Sequence, residues 1–297
     1  MNGRNLSGCG TALVTPFRKD GAVDEPALRR LVEWQIAEGV HFVVPCGSTG
    51  EAATMTPAEH RRVVEITVEV AAGRVPVVAG AGSNDTAKAI ALSLEMKAAG
   101  ATHLLHVSPM YNKPPQRGIV AHFRAIADAV DLPIVIYNVP GRTGSNIEAR
   151  TAIELAKCAN IVAIKEASGN LGQIADVIRD RPPDFAVLSG DDALTLPVMA
   201  LGGEGVISVT SNVTPRLMAQ LTDACAALDL PAARALHRRL MPWMAAAFVE
   251  PNPIPAKAGL AMLGMIENVL RLPLVPLSDA NQSVVRASLV AAGVEGL

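Results

Sequence analysis

The sequence predicts an α/β protein of the (β/α)8 type, a TIM barrel with a C-terminal helical extension. Three observations lead there. Short β-branched runs ending in Gly, Pro, Ser or Thr recur along the chain, each is followed by a longer segment with helical spacing, and eight such units can be counted. Closing eight βα units on themselves gives a barrel with its helices outside. A chain of 297 residues, 50% of them apolar, fits one large α/β domain or two small ones, so the pattern and not the composition makes the choice.

The strand candidates begin near TALVTPF, HFVVPCG, VPVVAGAG, THLLHVSP, LPIVIYNVP, IVAIKEAS, FAVLSGDD and GVISVT. They are apolar on successive residues, as strands covered on both faces should be. Between the second and third, Thr56, Pro57 and Glu59 form a capping box with proline at the first helical position, ahead of Val63, Ile66 and Val70 on one face. After the fourth strand, Ile119, Phe123, Ile126 and Val130 recur as one buried stripe. The eighth unit ends near Asp229, which divides the chain into a barrel over 1–229 and an extension over 230–297. That extension reads as helices around MPWMAAAF, PNPIPAKAGLAML and SVVRASLVAAG.

A formal charge of -2 and a pI near 6.3 leave no basic face for nucleic acid, so the expected partner is a small molecule. The opening MNGRNLSGCG has no apolar core of the secretory type, and no later stretch has the length of a membrane span. A cytoplasmic protein is expected. Cys9, Cys46, Cys158 and Cys225 are too widely spaced for a zinc knuckle or redox pair and are expected as reduced, buried thiols.

In such a barrel the active site forms where the strands end at their C-terminal side, so reactive side chains there carry the functional reading. Lys165 follows Ile161, Val162, Ala163 and Ile164, where an unpaired ammonium would be costly. It is either ion-paired, with Glu166 the nearest carboxylate, or kept neutral, the form that attacks a carbonyl. Neighbours on a strand point to opposite faces, which weakens the pairing with Glu166 and favours the nucleophile. Both tyrosines of the chain, Tyr111 in SPMYNKP and Tyr137 in IVIYNVP, fall at strand ends, where a phenol passes protons without a fixed charge. The plainer alternative for each is a half-buried ring in a turn.

The loop CGSTGE offers the hydroxyls of Ser48 and Thr49 and amides made accessible by Gly47 and Gly50, suited to a carboxylate but equally to an ordinary turn. Arg142 in NVPGRTG is placed either to grip a second carboxylate or to cap a surface loop. Other motifs fall away. AGAGSND has Asp85 where a dinucleotide fingerprint needs its third glycine. His103 and His106 face opposite ways, Asp191 and Asp192 lack a histidine partner and read as strand-end hydrogen bonding, and Ser48 lacks the G-x-S-x-G elbow.

With CGSTGE, SPMYNKP, YNVPGRTG, AIKEASGN and FVEPNPIPAK in hand, essentially the whole chain resembles the dihydrodipicolinate synthase and N-acetylneuraminate lyase family. The arginine of YNVPGRTG and the tyrosine of SPMYNKP resemble the synthase branch, which condenses pyruvate with aspartate semialdehyde on the way to lysine. The resemblance implies Lys165 as Schiff-base lysine, Tyr137 as proton relay, Ser48 in the place of the relay threonine, and Tyr111 completing the relay across a subunit interface. It implies Thr49, Gly190 and Ile207 in substrate binding and Arg142 on the carboxylate of the aldehyde. Synthases usually read GTTGE. Here Ser48 keeps the hydroxyl but not the methyl that restricts its rotamer, and GSTGE is common among the lyases.

The imine is its own electron sink, so the implied chemistry requires no metal or organic cofactor. The implied partners are pyruvate, a small carboxylated aldehyde and further copies of the chain, as a tetramer of tight dimers. The rivals are lyases of the same superfamily acting on a sialate, a 2-keto-3-deoxy sugar acid or a hydroxy-oxoglutarate, and a non-catalytic keto-acid sensor, which would need no proton relay. The feedback pocket of lysine-sensitive relatives resembles Ala52, Ala53, Pro57, His60, Asn84, Lys88 and Met110 here. Pro57, Lys88 and Met110 replace a histidine, a glutamate and a tyrosine, so weak inhibition by lysine or none is expected.

Overall fold

The structure, a computed structural model, describes residues 6–297. Residues 1–5, on which the reading of the N-terminus partly rests, lie outside it. Eight parallel strands run β1 (Gly8–Ala12), β2 (Phe42–Val44), β3 (Val78–Gly80), β4 (His103–Val107), β5 (Ile134–Asn138), β6 (Ile161–Glu166), β7 (Ala186–Ser189) and β8 (Gly205–Ser208). They pair in the order β2-β1-β8-β7-β6-β5-β4-β3, and a parallel bridge between Val43 and Val77 joins the ends into a barrel.

The helices α1 (Glu25–Ala37), α2 (Pro57–Ala71), α3 (Thr86–Ala98), α4 (Gln116–Ala129), the single turn α5 (Pro140–Thr143), α6 (Ala149–Leu155), α7 (Leu171–Asp180), α8 (Thr195–Ala200) and α9 (Pro215–Ala226) connect and cover the strands. Beyond them come α10 (Leu230–Ala246), α11 (Ile254–Met262) and α12 (Asp279–Ala291), the C-terminal helices that the sequence predicts. No helix among the described residues is long and apolar enough to cross a membrane.

The start of α2 follows from its sequence: the Thr56 side chain accepts from the Glu59 N–H at 3.3 Å, and the Glu59 carboxylate accepts from the Thr56 N–H at 2.9 Å. On α4, Ile119, Phe123 and Ile126 are buried, as is Val130 at its C-cap. The first strand begins earlier than TALVTPF suggests, at Gly8. The reason is space: a Cβ on Gly10 would fall 1.9 Å from the Phe42 ring, so the barrel interior takes a glycine where β-propensity asks for a branched residue. Cys9 and Cys46 are buried and Cys158 and Cys225 only half-buried, a departure from the expectation of four buried cysteines, and all four are free thiols.

Two apolar layers explain why the strands read as continuous apolar runs. Val44, Val78, Leu105, Val135, Tyr137, Leu188 and Ile207 fill the barrel, whereas Leu104, Ile134, Ile136, Ile161, Ile164 and Val187 face the helices. Along β6 the alternation breaks once. Ile134 pairs with Ile161, but the next residue, Val135, pairs with Ala163, so Val162 is an extra residue and the register slips by one. From there on the inward face of β6 is Ala163 and Lys165.

Candidate active site

The slip sets Lys165 opposite Tyr137 and, on the other side, opposite Leu188, both of them barrel-filling residues. The Lys165 amine lies 4.2 Å from the centre of the Tyr137 ring. Burial lowers its pKa to about 7; the Asp192 carboxylate works against that shift and the Arg142 cation adds to it. Burial also raises the Tyr137 phenol to about 12, so it stays protonated at neutral pH. The pairing of Lys165 with Glu166 does not form. Glu166 faces outward, where the Asn138 amide donates to both its oxygens at 3.2 and 3.0 Å, and the Gln173 side chain and Ser168 N–H complete its bonding.

A pocket opens above the amine, and Gly47, Ser48, Thr49, Tyr137, Arg142, Lys165 and Gly190 are among its lining residues. Thr49 is buried, with its hydroxyl accepting from the Asn252 amide at 2.9 Å, while Ser48 is exposed at the rim. Arg142, on α5, is exposed and reaches the Asn252 carbonyl only at 3.5 Å, leaving its guanidinium turned to the pocket. Gly190 leaves room for the lysine, since a Cβ there would stand 3.0 Å from Lys165 Cε. Ile207 is fully buried in the barrel interior and is not among the lining residues; Val209, two positions on, is.

Tyr111 stands apart from this pocket within one chain. It is 88% exposed, with a left-handed backbone (φ 71) tied by its N–H to the Thr143 carbonyl at 3.2 Å. Asn252 and Phe248 are pocket residues that no separate reading of the sequence singled out, although both lie in the quoted FVEPNPIPAK stretch. Their signal is weak because an asparagine between prolines reads as a turn.

Asp192 also matters more than its dipeptide suggests. Fully buried, it accepts from the hydroxyls of Ser208 and Thr210 and the N–H groups of Val209 and Thr210, the strand-end bonding expected of it. His106 bonds Ser93 at 3.1 Å on the outer side of β4, and the region holding His103 and His106 forms no cluster that could hold a metal ion among the described residues.

A barrel with a neutral-prone amine at the carboxyl ends of its strands, beside a protonated phenol and a hydroxyl-bearing loop, defines the class: a lysine-dependent, Schiff-base-forming lyase. The sequence model of the Dihydrodipicolinate synthetase family matches residues 5–292, and the chain belongs to that family. It is 53% identical over 290 residues to the 4-hydroxy-tetrahydrodipicolinate synthase of Koribacter versatilis, covering 97% of both chains. Its fold matches dihydrodipicolinate synthase from Aquifex aeolicus with a TM-score of 0.95 at 44% identity, over 97% of this chain and 99% of that one. The chloride-inhibited dihydrodipicolinate synthase of Acinetobacter baumannii, complexed with pyruvate, matches with a TM-score of 0.96 at 41% identity, over 98% of this chain and 100% of that one.

The lowered lysine gives a testable pH dependence. Only the neutral amine adds to a carbonyl, so the rate of imine formation should rise with pH through an inflection at about 7 and then level. Initial rates of trapping across pH measure it; an inflection near the ordinary 10.5 would show that the pocket does not depress Lys165.

Proposed function

We infer that the protein is a class I aldolase that condenses pyruvate with L-aspartate 4-semialdehyde to 4-hydroxy-tetrahydrodipicolinate, a step of lysine and diaminopimelate biosynthesis in the cytoplasm. The observation that carries this reading is the buried Lys165 amine, lowered to about 7, lying against Tyr137 beneath the Ser48 and Thr49 loop. Neutral Lys165 adds to the keto carbon of pyruvate, whose carboxylate rests on the loop. Tyr137, held as the phenol, gives a proton to the carbonyl oxygen and regains one from the nitrogen as the carbinolamine forms; a second proton, taken up from solvent, leaves with the hydroxyl as water, and a protonated imine remains. Loss of a methyl proton gives the enamine, whose carbon attacks the aldehyde. The amine of the adduct then closes on the imine carbon and displaces Lys165.

Arg142 supports a small carboxylated aldehyde over a polyol, because a guanidinium matches a carboxylate in a fork and offers nothing specific to sugar hydroxyls. Holding both carboxylates fixes the reacting carbons relative to each other, and correct placement alone contributes several powers of ten in rate. Gly190 and Ile207 serve this binding as space and barrel floor, not through polar contacts. The barrel over 1–229 carries the chemistry and the helices over 230–297 pack on it and wall the pocket.

Tyr111 carries the further reading that the active form is a homo-oligomer, a tetramer of tight dimers in which the exposed phenol of one chain completes the proton relay of another. Of the seven positions expected of the feedback pocket, Ala52, Ala53, His60 and Met110 line one cavity, which shares Ser48, Tyr137 and Arg142 with the active-site pocket; this supports a ligand place there. With an exposed Lys88 on α3 instead of a glutamate, an incoming ammonium meets like charge and no carboxylate.

Three measurements check this. Borohydride with pyruvate should add one reduced pyruvyl mass, mapped to Lys165, and Lys165→Arg should lose most turnover; an adduct on Lys257, or normal turnover in the variant, would refute the aldolase reading. Equilibrium sedimentation at assay concentration should show an oligomer, and a fully active monomer would remove the shared role of Tyr111. Free lysine should leave activity nearly unchanged, whereas strong inhibition below about a millimolar would show that the pocket works with other ligands than those named.

A further inference from the structure

The molecule buries a second lysine, Lys257, on α11 and not on a strand. Its amine donates to Glu51 Oε1 at 2.5 Å and to the Val269 carbonyl at 2.8 Å, and lies 4.2 Å from the centre of the Phe17 ring. The side chains of Lys257 and Glu51 are 0% and 1% exposed. The other oxygen of Glu51 accepts from the Arg271 N–H at 3.0 Å. The Arg271 guanidinium in turn donates to the carbonyls of Gly21 and Thr54 and to Glu59, the carboxylate of the α2 capping box.

Glu51 closes the hydroxyl loop two positions after Thr49, and it does so with a left-handed backbone (φ 55), as Cys46 opens the loop (φ 57). Non-glycine residues persist in that region only where their surroundings over-determine them. Here the surroundings come from both ends of the chain. Thr15, beyond β1, donates to the Gly50 carbonyl at 2.8 Å, and from the C-terminal helices Asn252 bonds Thr49 while Lys257 and Arg271 hold Glu51. Gly80 packs under the loop so closely that a Cβ on it would fall 2.0 Å from the Cys46 carbonyl oxygen. An ion pair so deeply buried is weak evidence for stability, because apolar replacements of such pairs are often no worse. Its position, joining the substrate loop to the far end of the sequence, assigns it a different task.

We propose that the buried Glu51–Lys257 pair, assisted by Asn252, is a positioning device that holds the Ser48–Thr49 loop in register with Lys165, so that affinity for the keto-acid carboxylate is set from the C-terminal helices. The inference rests on the keto-acid reading of the pocket. Glu51 and Lys257 touch neither substrate nor reacting atoms; they act through the loop. Glu51→Gln keeps the shape and an oxygen for the Arg271 N–H but removes the charge, and Lys257, whose pKa burial already lowers to about 8, then has no carboxylate to hold.

The test compares the parent chain with Glu51→Gln and with Glu51→Gln/Lys257→Met, which removes both charges of the pair. Two quantities are read: the pyruvate concentration giving half-maximal borohydride-trapped adduct on Lys165, and steady-state KM and kcat for both substrates. Half-saturating pyruvate should rise roughly tenfold in both variants, with kcat at saturating pyruvate within about twofold of the parent and the KM for the aldehyde unchanged. A pair that served stability alone would lower the unfolding midpoint and leave half-saturation where it was, which overturns the proposal; so would a fall in kcat at constant KM. If Glu51→Gln fails to fold by circular dichroism, the double variant decides by the same criteria. An absent adduct in the parent removes the keto-acid reading and this inference with it, whereas a normal parent with unaltered variants removes this inference alone.

Discussion

Everything at the mouth of the barrel depends on a one-residue slip in the pairing of β5 with β6. Side chains alternate along a strand, so a slip of one exchanges the two faces for all that follows. Ile161 faces the helices, and strict alternation from it would send Lys165 outward as well. The extra residue at Val162 turns Lys165 inward, opposite Tyr137, and sends Glu166 outward, opposite Asn138. The two cross-strand pairs have opposite characters for this reason. One is an amine over an aromatic face, poor in partners; the other is a carboxylate supplied with several donors.

Desolvation then does the chemical work. Moving a lysine from 10.5 to about 7 corresponds to roughly 5 kcal/mol in favour of the neutral amine. Asp192 moderates this from beyond the end of β7, where hydroxyl and backbone donors hold its carboxylate in place. The same carboxylate lies in the field of the protonated imine, so the group that resists deprotonation of the free amine favours the cationic intermediate. Tyr137, raised by the same burial, is a proton donor that returns to its neutral form after each transfer.

The C-terminal helices turn a barrel mouth into a pocket. Asn252 reaches Thr49 and Arg142, Phe248 adds an apolar wall, and Lys257 and Arg271 hold the loop at Glu51. These contacts join residues 110 to 220 positions apart, so they form only when the last part of the chain has docked. Such non-local contacts close long loops, whose entropic cost local hydrogen bonds do not carry.

The sequence by itself determined the eight βα units, the helical extension, the capping box of α2 and the chemical character of the strand ends, because each rests on local periodicity or local hydrogen bonding. It also separated Lys165 from Glu166, since that needs only the alternation of neighbours. Its first strand started late because Gly8 and Gly10 carry no β signal; their reasons are the His41 ring beside Gly8 and the ring of Phe42, the cross-strand partner of Gly10. What only the tertiary structure decided is which face Lys165 takes, through a register slip no residue type announces, and which distant residues meet the loop. Asn252 looks like a turn and Lys257 like any lysine on a helix until α11 is packed against the barrel mouth. Tyr111 shows the boundary from the other side: its place is legible as a motif, but a single chain leaves it exposed. Local chemistry is written in local sequence, whereas burial, and with it the pKa of an amine, is a property of everything that surrounds it.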